Sequence, residues 1–479
     1  MRKQSTLCLA CTIFFLFLVF LAEPFPVFGE DTITKQEASL EECLEKALQN
    51  NRRRPASRYA VEMAEARHRQ ALAAYWPQIS LKVGYQRLDE APNYIFPALN
   101  FDLPVIDIPG VGILPVDKIT VPEQNIKLMD KESYRASLEG SWLIYDGGMR
   151  KGYREQSAGA LEMMKQEARR TDLEIIDSVH RLYFGAVMAI QLHQLGRDTL
   201  ARMEVTLDFT ETMYKEGSGK VKKTDWLDNM VIVESMRSMV AQLEKNELMA
   251  QAALANTMGL SWNTSVQPTD SAIPFTPFSG KLDALVDTAY RFNPDWGKIE
   301  AGLRAAEGSL LTAKSASSPK VAITGELYKW WNDYEAGLAT DPNKDGWSIG
   351  IGVEIPIFDG SMTRNKVAEA RAQVAKIKEE QFLLKDGLGL QLRDLLLSLN
   401  AVAKTHQATL EAMNAAKENR ILKTRAYQYE LIEVDKVIQA QLMEALMAAQ
   451  HYRARYENVA LQSRISLLVG AEVRERLGE

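Results

Sequence analysis

Hydrophobic positions along this chain recur with two different periods. Tyr134, Ala136, Leu138, Gly140, Trp142 and Ile144 alternate with Arg135, Ser137, Glu139 and Ser141. Trp347, Ile349, Ile351, Val353 and Ile355 alternate with Ser348, Gly350, Gly352 and Glu354. Leu81, Val83 and Tyr85 alternate with Lys82, Gly84 and Gln86, and Val321, Ile323, Gly325 and Leu327 begin a fourth run. A period of two puts the two sets on opposite faces of a strand. The predicted strands are about 81–88, 133–145, 321–328 and 347–358. Apolar on one face and polar or small on the other, such strands fit a membrane barrel. A sandwich with one buried face gives the same alternation.

Between the strands the period becomes helical. Leu173, Ile176, Tyr183, Val187 and Ile190 recur at three- and four-residue steps or their sum. Val367, Ala370, Val374, Ile377, Leu384 and Leu388 keep a heptad, with polar Gln381 inside it. Leu392, Leu395, Leu399 and Val402 continue it after a four-residue stutter, which locally unwinds a coiled coil. Long helices are predicted at 147–213 and 360–426, with returning helices at 225–258 and 435–469. Neither long segment contains proline. At 1.5 Å per residue each spans about 100 Å, which points to a tube or rod. Two shorter helices, Leu40 to Tyr75 and Leu282 to Ser317, end at Pro77 and Pro319.

These elements come twice. Leu40, Leu44, Ala47 and Asn51 are answered by Leu282, Val286, Ala289 and Asn293. Leu143-Ile144-Tyr145-Asp146-Gly147 is answered by Pro356-Ile357-Phe358-Asp359-Gly360. Gly147 to Tyr214 and Gly360 to Tyr427 both measure 67 residues. A fixed internal spacing marks a duplicated unit. The first repeat is read as 30–259, a linker as 260–281, the second repeat as 282–470 and a tail as 471–479. Residues 89–131 hold six prolines and form a long loop between two strands. Its apolar content (Phe96, Leu99, Phe101, Val105, Ile106, Ile108) is high for a solvated loop, so it is expected to be extracellular and to cover part of a mouth.

Residues 1–29 read as a secretory signal peptide: Arg2 and Lys3, an apolar run from Leu7 to Ala22, and Val27-Phe28-Gly29 at the cleavage site. Cys8 and Cys11 leave with it, and Cys43 alone has no disulfide partner. Removing Arg2, Lys3 and Glu23 takes the net charge from −6 to −7, which argues against nucleic acid as a partner.

Four strands cannot close a membrane barrel by themselves, and an open edge is not tolerated in lipid. Three chains would give twelve strands. With the strand ending Pro356-Ile357-Phe358-Asp359-Gly360, its echo at Leu143–Gly147 and the tyrosine 67 residues on, the chain resembles the TolC-type outer-membrane efflux proteins over essentially its whole mature length. The family's Asn-Pro stands at Asn293-Pro294 but is Asn51-Arg52 in the first copy, and Leu143 replaces a proline. The resemblance implies an α+β membrane protein, a homotrimeric 12-stranded β-barrel continued by a periplasmic α-helical barrel. It implies an outer-membrane duct docked by a periplasmic adaptor and an inner-membrane pump, for efflux or type I secretion.

No catalytic set, metal spacing or cofactor motif emerges. His68, His180, His193, His406 and His451 are dispersed. Glu216-Gly217-Ser218-Gly219-Lys220 lacks the first glycine and final hydroxyl of a phosphate loop and follows no strand. The second helix turn supplies periplasmic entrance candidates, Tyr427, Glu430, Glu433 and Asp435. Asp435 matches the first aspartate of the family's Asp-x-x-Asp pair, whose second place holds Ile438. An aspartate opening a helix is equally explained by capping. The first turn supplies adaptor-contact candidates Lys220, Lys222, Lys223, Asp225 and Asp228, for which plain solvation is the alternative. Trp142, Trp330, Trp331 and Trp347 are candidates for aromatic girdles facing outer-membrane lipid. The competing reading is an exported periplasmic or surface coiled-coil protein without a pore, which explains the heptads but not the paired strands. Nothing in the sequence names the cargo, the pump or the resting state.

Overall fold

The computed structural model describes residues 34–102, 107–113, 118–217, 219–332 and 345–470. The expected signal peptide (1–29) and tail (471–479) lie outside the described residues, as do parts of the two loops between paired strands. The chain runs β1 (Thr34–Ala38), α1 (Leu40–Asn50), α2 (Arg53–Ala73), β2 (Gln78–Arg87), β3 (Asn93–Phe96), β4 (Leu99–Asp102), β5 (Asp107–Ile108), β6 (Gly112–Ile113), β7 (Lys118–Val121), β8 (Gln124–Lys127), β9 (Glu132–Tyr145), α3 (Met149–Lys215) and α4 (Lys223–Thr257). It continues with β10 (Thr264–Pro268), α5 (Leu282–Phe292), α6 (Pro294–Ser315), β11 (Lys320–Trp331), β12 (Asp345–Glu354), α7 (Met362–Gln428) and α8 (Val434–Val469). Two compact units result, one of Val61–Met164 with Lys298–Gln381, the other of the remaining segments.

The first of these units holds an antiparallel sheet of order β12-β11-β9-β2. Its register sorts the alternation seen in sequence into two faces. Ile79, Leu81, Val83 and Tyr85 align with Gly140, Leu138, Ala136 and Tyr134. These align in turn with Gly325, Leu327, Lys329 and Trp331, and then with Ile349 and Trp347 beside Gly325 and Leu327. Apart from Lys329, whose amine lies over the Trp331 ring, this face is apolar and exposed in the single chain: Val83 is 77% exposed, Trp347 73% and Ile351 71%. The opposite face carries Ser80, Lys82, Arg135, Ser137, Glu139, Thr324, Glu326 and Ser348. The register shifts once, between Val321 and Ala322.

Strand β12 stops at Glu354, short of the expected 358. Pro356 has no N–H for a ladder and restricts Ile355 before it. Within the loop expected to be irregular at 89–131, the described residues form three successive two-stranded ladders, β3–β8, β4–β7 and β5–β6. The second ladder is amphipathic, with Leu99, Phe101, Ile119 and Val121 on one face and Asn100, Asp102, Lys118 and Thr120 on the other.

In the same unit α3 meets α6 backbone to backbone. A Cβ on Gly159 would lie 2.6 Å from Ala301 O, and one on Gly308 would lie 2.5 Å from Gln156 N. Gly152 meets Thr312 and Gly308 in the same way. Only residues without a side chain permit this approach.

The other unit has its main core where α1 (Cys43, Leu44, Ala47), α3 (Leu173, Ile176, Tyr183, Val187) and α4 (Leu254) with its C-cap Met258 meet Val266 and Ile273. Cys43 is enclosed there, and burial pushes its thiol up to about 11. The expected linker 260–281 contains a strand: β10 pairs in parallel with β1, burying Val266.

The two opening helices, expected to be continuous, each break once. Asn51 ends α1 and Asn293 ends α5, both in extended backbone with N–H bonded to Ala47 O and Ala289 O. Asn51 Nδ2 donates to Thr257 O (2.8 Å) and Asn293 Nδ2 to Leu468 O (2.8 Å). Their Oδ1 atoms accept from Arg53 N and Trp296 N, starting the next helix. The asparagine thus closes one helix, opens another and takes a terminal carbonyl of the returning helix. Pro294 is compatible because its missing N–H falls at a first helical position. Arg52 does as well, since the asparagine carries the break.

The long helices start two residues later than expected. Gly147, Gly148, Gly360 and Ser361 all have positive φ (64°, 97°, 65° and 70°). Asp146 accepts from Gly148 N and Arg150 N, and Asp359 from Thr363 N, so each aspartate caps the first turn.

Candidate functional site

Two regions of the described residues hold the expected site residues: the helix turns and the two faces of the sheet. The turns are Glu216–Lys222, between α3 and α4, and Tyr429–Glu433, between α7 and α8. They are held together by a core of Met203, Met213, Val233, Met236, Tyr427, Val434, Val437 and Ile438. Lys220 Nζ reaches from the first turn to Glu430 Oε2 on the second, at 2.6 Å. Glu430 occupies left-handed backbone (φ 55°). A cavity of about 540 Å³ lies between the turns, lined by Lys220, Asp225, Asn229, Glu433 and Asp435 over an apolar floor that includes Ile232 and Ile438.

The expected site residues fare differently here. Tyr427, expected at the entrance, is buried. Its hydroxyl bonds Thr210 Oγ1 at 2.9 Å, its ring meets Phe209 edge-on at 5.5 Å, and burial raises its phenol pKa. A large ring flanked by apolar helix positions gains more from the core than from water. Tyr214, its counterpart, stacks on Trp226 at 5.7 Å. The capping place expected for Asp435 belongs to Glu433, whose side chain makes no capping bond. Asp435 sits in the first helical turn, where a carboxylate meets the positive end of the helix dipole, and pairs with Lys436 at 3.1 Å. Asp225, in the first turn of α4, accepts from the N–H of the capping residue Lys222 at 2.9 Å. Lys222, Lys223 and Asp228 are exposed.

Sequence reasoning missed a buried polar column in the same region. Thr199, Thr206 and Thr210 lie on α3 and bond the carbonyls one turn back. Gln441 Nε2 donates to Thr206 Oγ1 (3.0 Å) and Asn229 Nδ2 reaches Thr210 Oγ1 (3.5 Å). Arg420 meets Glu444 at 2.5 Å, and Arg202 the same carboxylate at 3.6 Å. The sequence signal was threonine at seven- and four-residue steps within an apolar stripe.

On the sheet, Trp142, Trp331 and Trp347 share the apolar face. Trp142 Nε1 donates to Tyr75 O at 3.0 Å, leaving the ring body outward. Trp330 does not share it. It aligns with Arg135 on the polar face, because an odd step along a strand reverses the side. On that face Lys82 pairs with Glu139 and Arg135 with Glu326, both at 2.6 Å.

A single stretch of α3, 169–177, ties both helix breaks together. Arg53 pairs with Glu174 and Arg54 with Asp172 on the first copy's side. Arg170 pairs with Asp295, Arg169 donates to Gly470 O, and Ser463 donates to Asp177 on the second copy's side. Among the described residues no group of three or more His, Cys, Asp or Glu could hold a metal, and no helix is long and apolar enough to cross a membrane.

The outer membrane efflux protein family model matches residues 43–260 and again 285–471. The chain belongs to the outer membrane efflux protein family. Its location is the outer membrane. It is 25% identical over 252 residues to the probable outer membrane lipoprotein SilC of Salmonella typhimurium, covering 50% of this chain and 53% of that one. It is 23% identical over 262 residues to the cation efflux system protein CusC of Escherichia coli O157:H7, covering 52% and 56%. The matches to these two relatives span about half their length. Among solved structures, the CmeC outer membrane channel of Campylobacter jejuni superposes with a TM-score of 0.73 at 14% identity, over 90% of this chain and 85% of that one. A membrane protein from Pseudomonas aeruginosa superposes with a TM-score of 0.72 at 17% identity, over 92% and 95%. The fold is that of the TolC-type outer-membrane channels.

Proposed function

We propose that the chain is the outer-membrane channel of a tripartite efflux or type I secretion system, passively conducting cargo from a periplasmic adaptor and inner-membrane pump to the exterior. The observation that carries this is the sheet. Its four strands expose one apolar face, and its edge strands β2 and β12 run in opposite directions. Copies placed side by side therefore meet in antiparallel pairs at every seam, and the sheet closes without an edge once enough copies join. Three copies give twelve strands, enough for an aqueous duct. Trp142, Trp331 and Trp347 then face lipid near the ends of the apolar band. The long helices supply the periplasmic section, and the two turns supply its tip.

At that tip Glu433, joined by Glu430 and Asp435, whose charges Lys220 and Lys436 partly offset, would concentrate cations at the entrance once multiplied by three-fold symmetry. Lys222, Lys223 and Asp228 remain exposed for an adaptor. The test is reconstitution of the detergent-extracted protein into planar bilayers. Discrete ion-conducting steps and a gel band that shifts on heating support the channel. A protein soluble without detergent and silent in bilayers would replace it with the coiled-coil rod.

A further inference from the structure

The polar face of the sheet carries an arrangement that a passive wall does not need. Glu139 on β9 and Glu326 on β11 are direct register partners, so two carboxylates stand side by side on one face. Like charges directly opposite are destabilising. Each has its own cation. Lys82 reaches from β2, where it opposes Ser137, to Glu139 at 2.6 Å, and Ser137 Oγ donates to the same carboxylate at 3.2 Å. Arg135, which opposes Trp330, crosses the Tyr328 ring at 5.9 Å and meets Glu326 at 2.6 Å. Tyr328 in turn lies where a Cβ on Gly346 would come within 2.7 Å of its hydroxyl, so glycine on β12 leaves room for the ring under Arg135. Both bases come from further along the strands and lean back to one level. Without them that level would be purely acidic, six carboxylates in a trimer.

From this geometry we infer that Lys82 and Arg135 are specificity-determining residues of the barrel: they cancel a carboxylate ring in the lumen, so the barrel section accepts cargo of either charge. The inference rests on the channel reading, in which the polar face lines the lumen. Charge selection is then left to the acidic turns at the entrance, and the barrel is a neutral exit.

The test is the reversal potential of the full trimer in planar bilayers under a potassium chloride gradient, for Lys82→Gln, Arg135→Gln, Glu139→Gln and the double variant Lys82→Gln/Glu139→Gln. At about 0.01 M salt, where the Debye length is about 30 Å, each base-to-Gln variant should raise the potassium-to-chloride permeability ratio by roughly twofold or more. Glu139→Gln should lower it, and the double variant should return to the parent value. The double variant also guards against misfolding, since it restores charge without restoring the ion pair. Conducting channels with the same ratio in all variants would overturn the inference and leave the channel reading standing. A parent protein with no conductance would overturn the channel reading and this inference with it.

Discussion

At the scale of single residues, the duplicated landmarks do not all have the same weight. Asp146 and Asp359 cap equivalent helices, but Asp146 is also buried with Arg150, at 2.7 Å, with side chains 7% and 11% exposed. Asp359 is exposed and carries only its cap. Asp146→Ala should cost about 3–5 kcal/mol, because it leaves a buried guanidinium unpaired. Asp359→Ala should cost about 1 kcal/mol, the value of a cap. Chemical denaturation of both variants checks the contrast, and equal losses would contradict it. The sequence showed both aspartates as echoes but could not show which was enclosed, since burial depends on Tyr75 and Ile144 folding over Arg150.

A second residue-level consequence concerns pH. His406 stacks on Phe275 at 3.7 Å and lies 4.9 Å from His451, with Arg455 nearby. Burial and Arg455 hold the His406 imidazole below its ordinary value, and burial, His406 and Arg455 do the same for His451. Both folded values lie below the unfolded one near 6.5. The unfolded chain therefore binds protons first as pH falls, and stability drops from about 6.5 downward until the folded values are reached. Melting temperature should fall between pH 7 and 5, and His451→Gln should remove part of that slope. A slope unchanged in the variant would assign it to other groups. The histidines looked dispersed in sequence because they sit 45 residues apart on two antiparallel helices.

At the scale of elements, periodicity revealed the long helices and the strands because each signal extends over many residues. It missed the breaks at Asn51 and Asn293, where one side chain replaces a whole turn of hydrogen bonds, and it missed β1 and β10, which are too short to alternate visibly. Substituting Asn293 by Ala should destabilise the chain by about 1–3 kcal/mol, through the unsatisfied Leu468 carbonyl and Trp296 N–H. The contact of α3 with α6 is similarly local. Gly308→Ala places a methyl against the Gln156 backbone and should cost about 1–3 kcal/mol by overpacking. Gly387→Ala, on α7 with nothing within 4 Å, should be neutral or stabilising by about 0.5–1 kcal/mol in the same denaturation assay. A reversed order would mean that neighbouring chains, not this chain's own helices, set the spacing.

At the scale of the whole molecule, the count of four strands was the most informative sequence inference, because closure is a property that one chain cannot supply. Register then sorted what alternation could not, moving Trp330 to the polar face and bringing Glu139 beside Glu326. The loop at 89–131 shows the limit of composition: its prolines suggest irregular chain, yet cross-strand pairs such as Phe101 with Ile119 join its described residues into ladders. The turns behave likewise. Their charges were visible in sequence, while the burial of Tyr427 followed from Thr210 and Phe209, more than two hundred residues away in the chain.

That several identical chains share one closed barrel is tested by native mass spectrometry of the detergent-extracted outer-membrane protein. A shared barrel gives a single species at three times the mass of the mature chain, collapsing to the monomer on heating. A monomer or dimer released without detergent would contradict it, since the apolar face of the sheet would then have no lipid to face and its edges no partner.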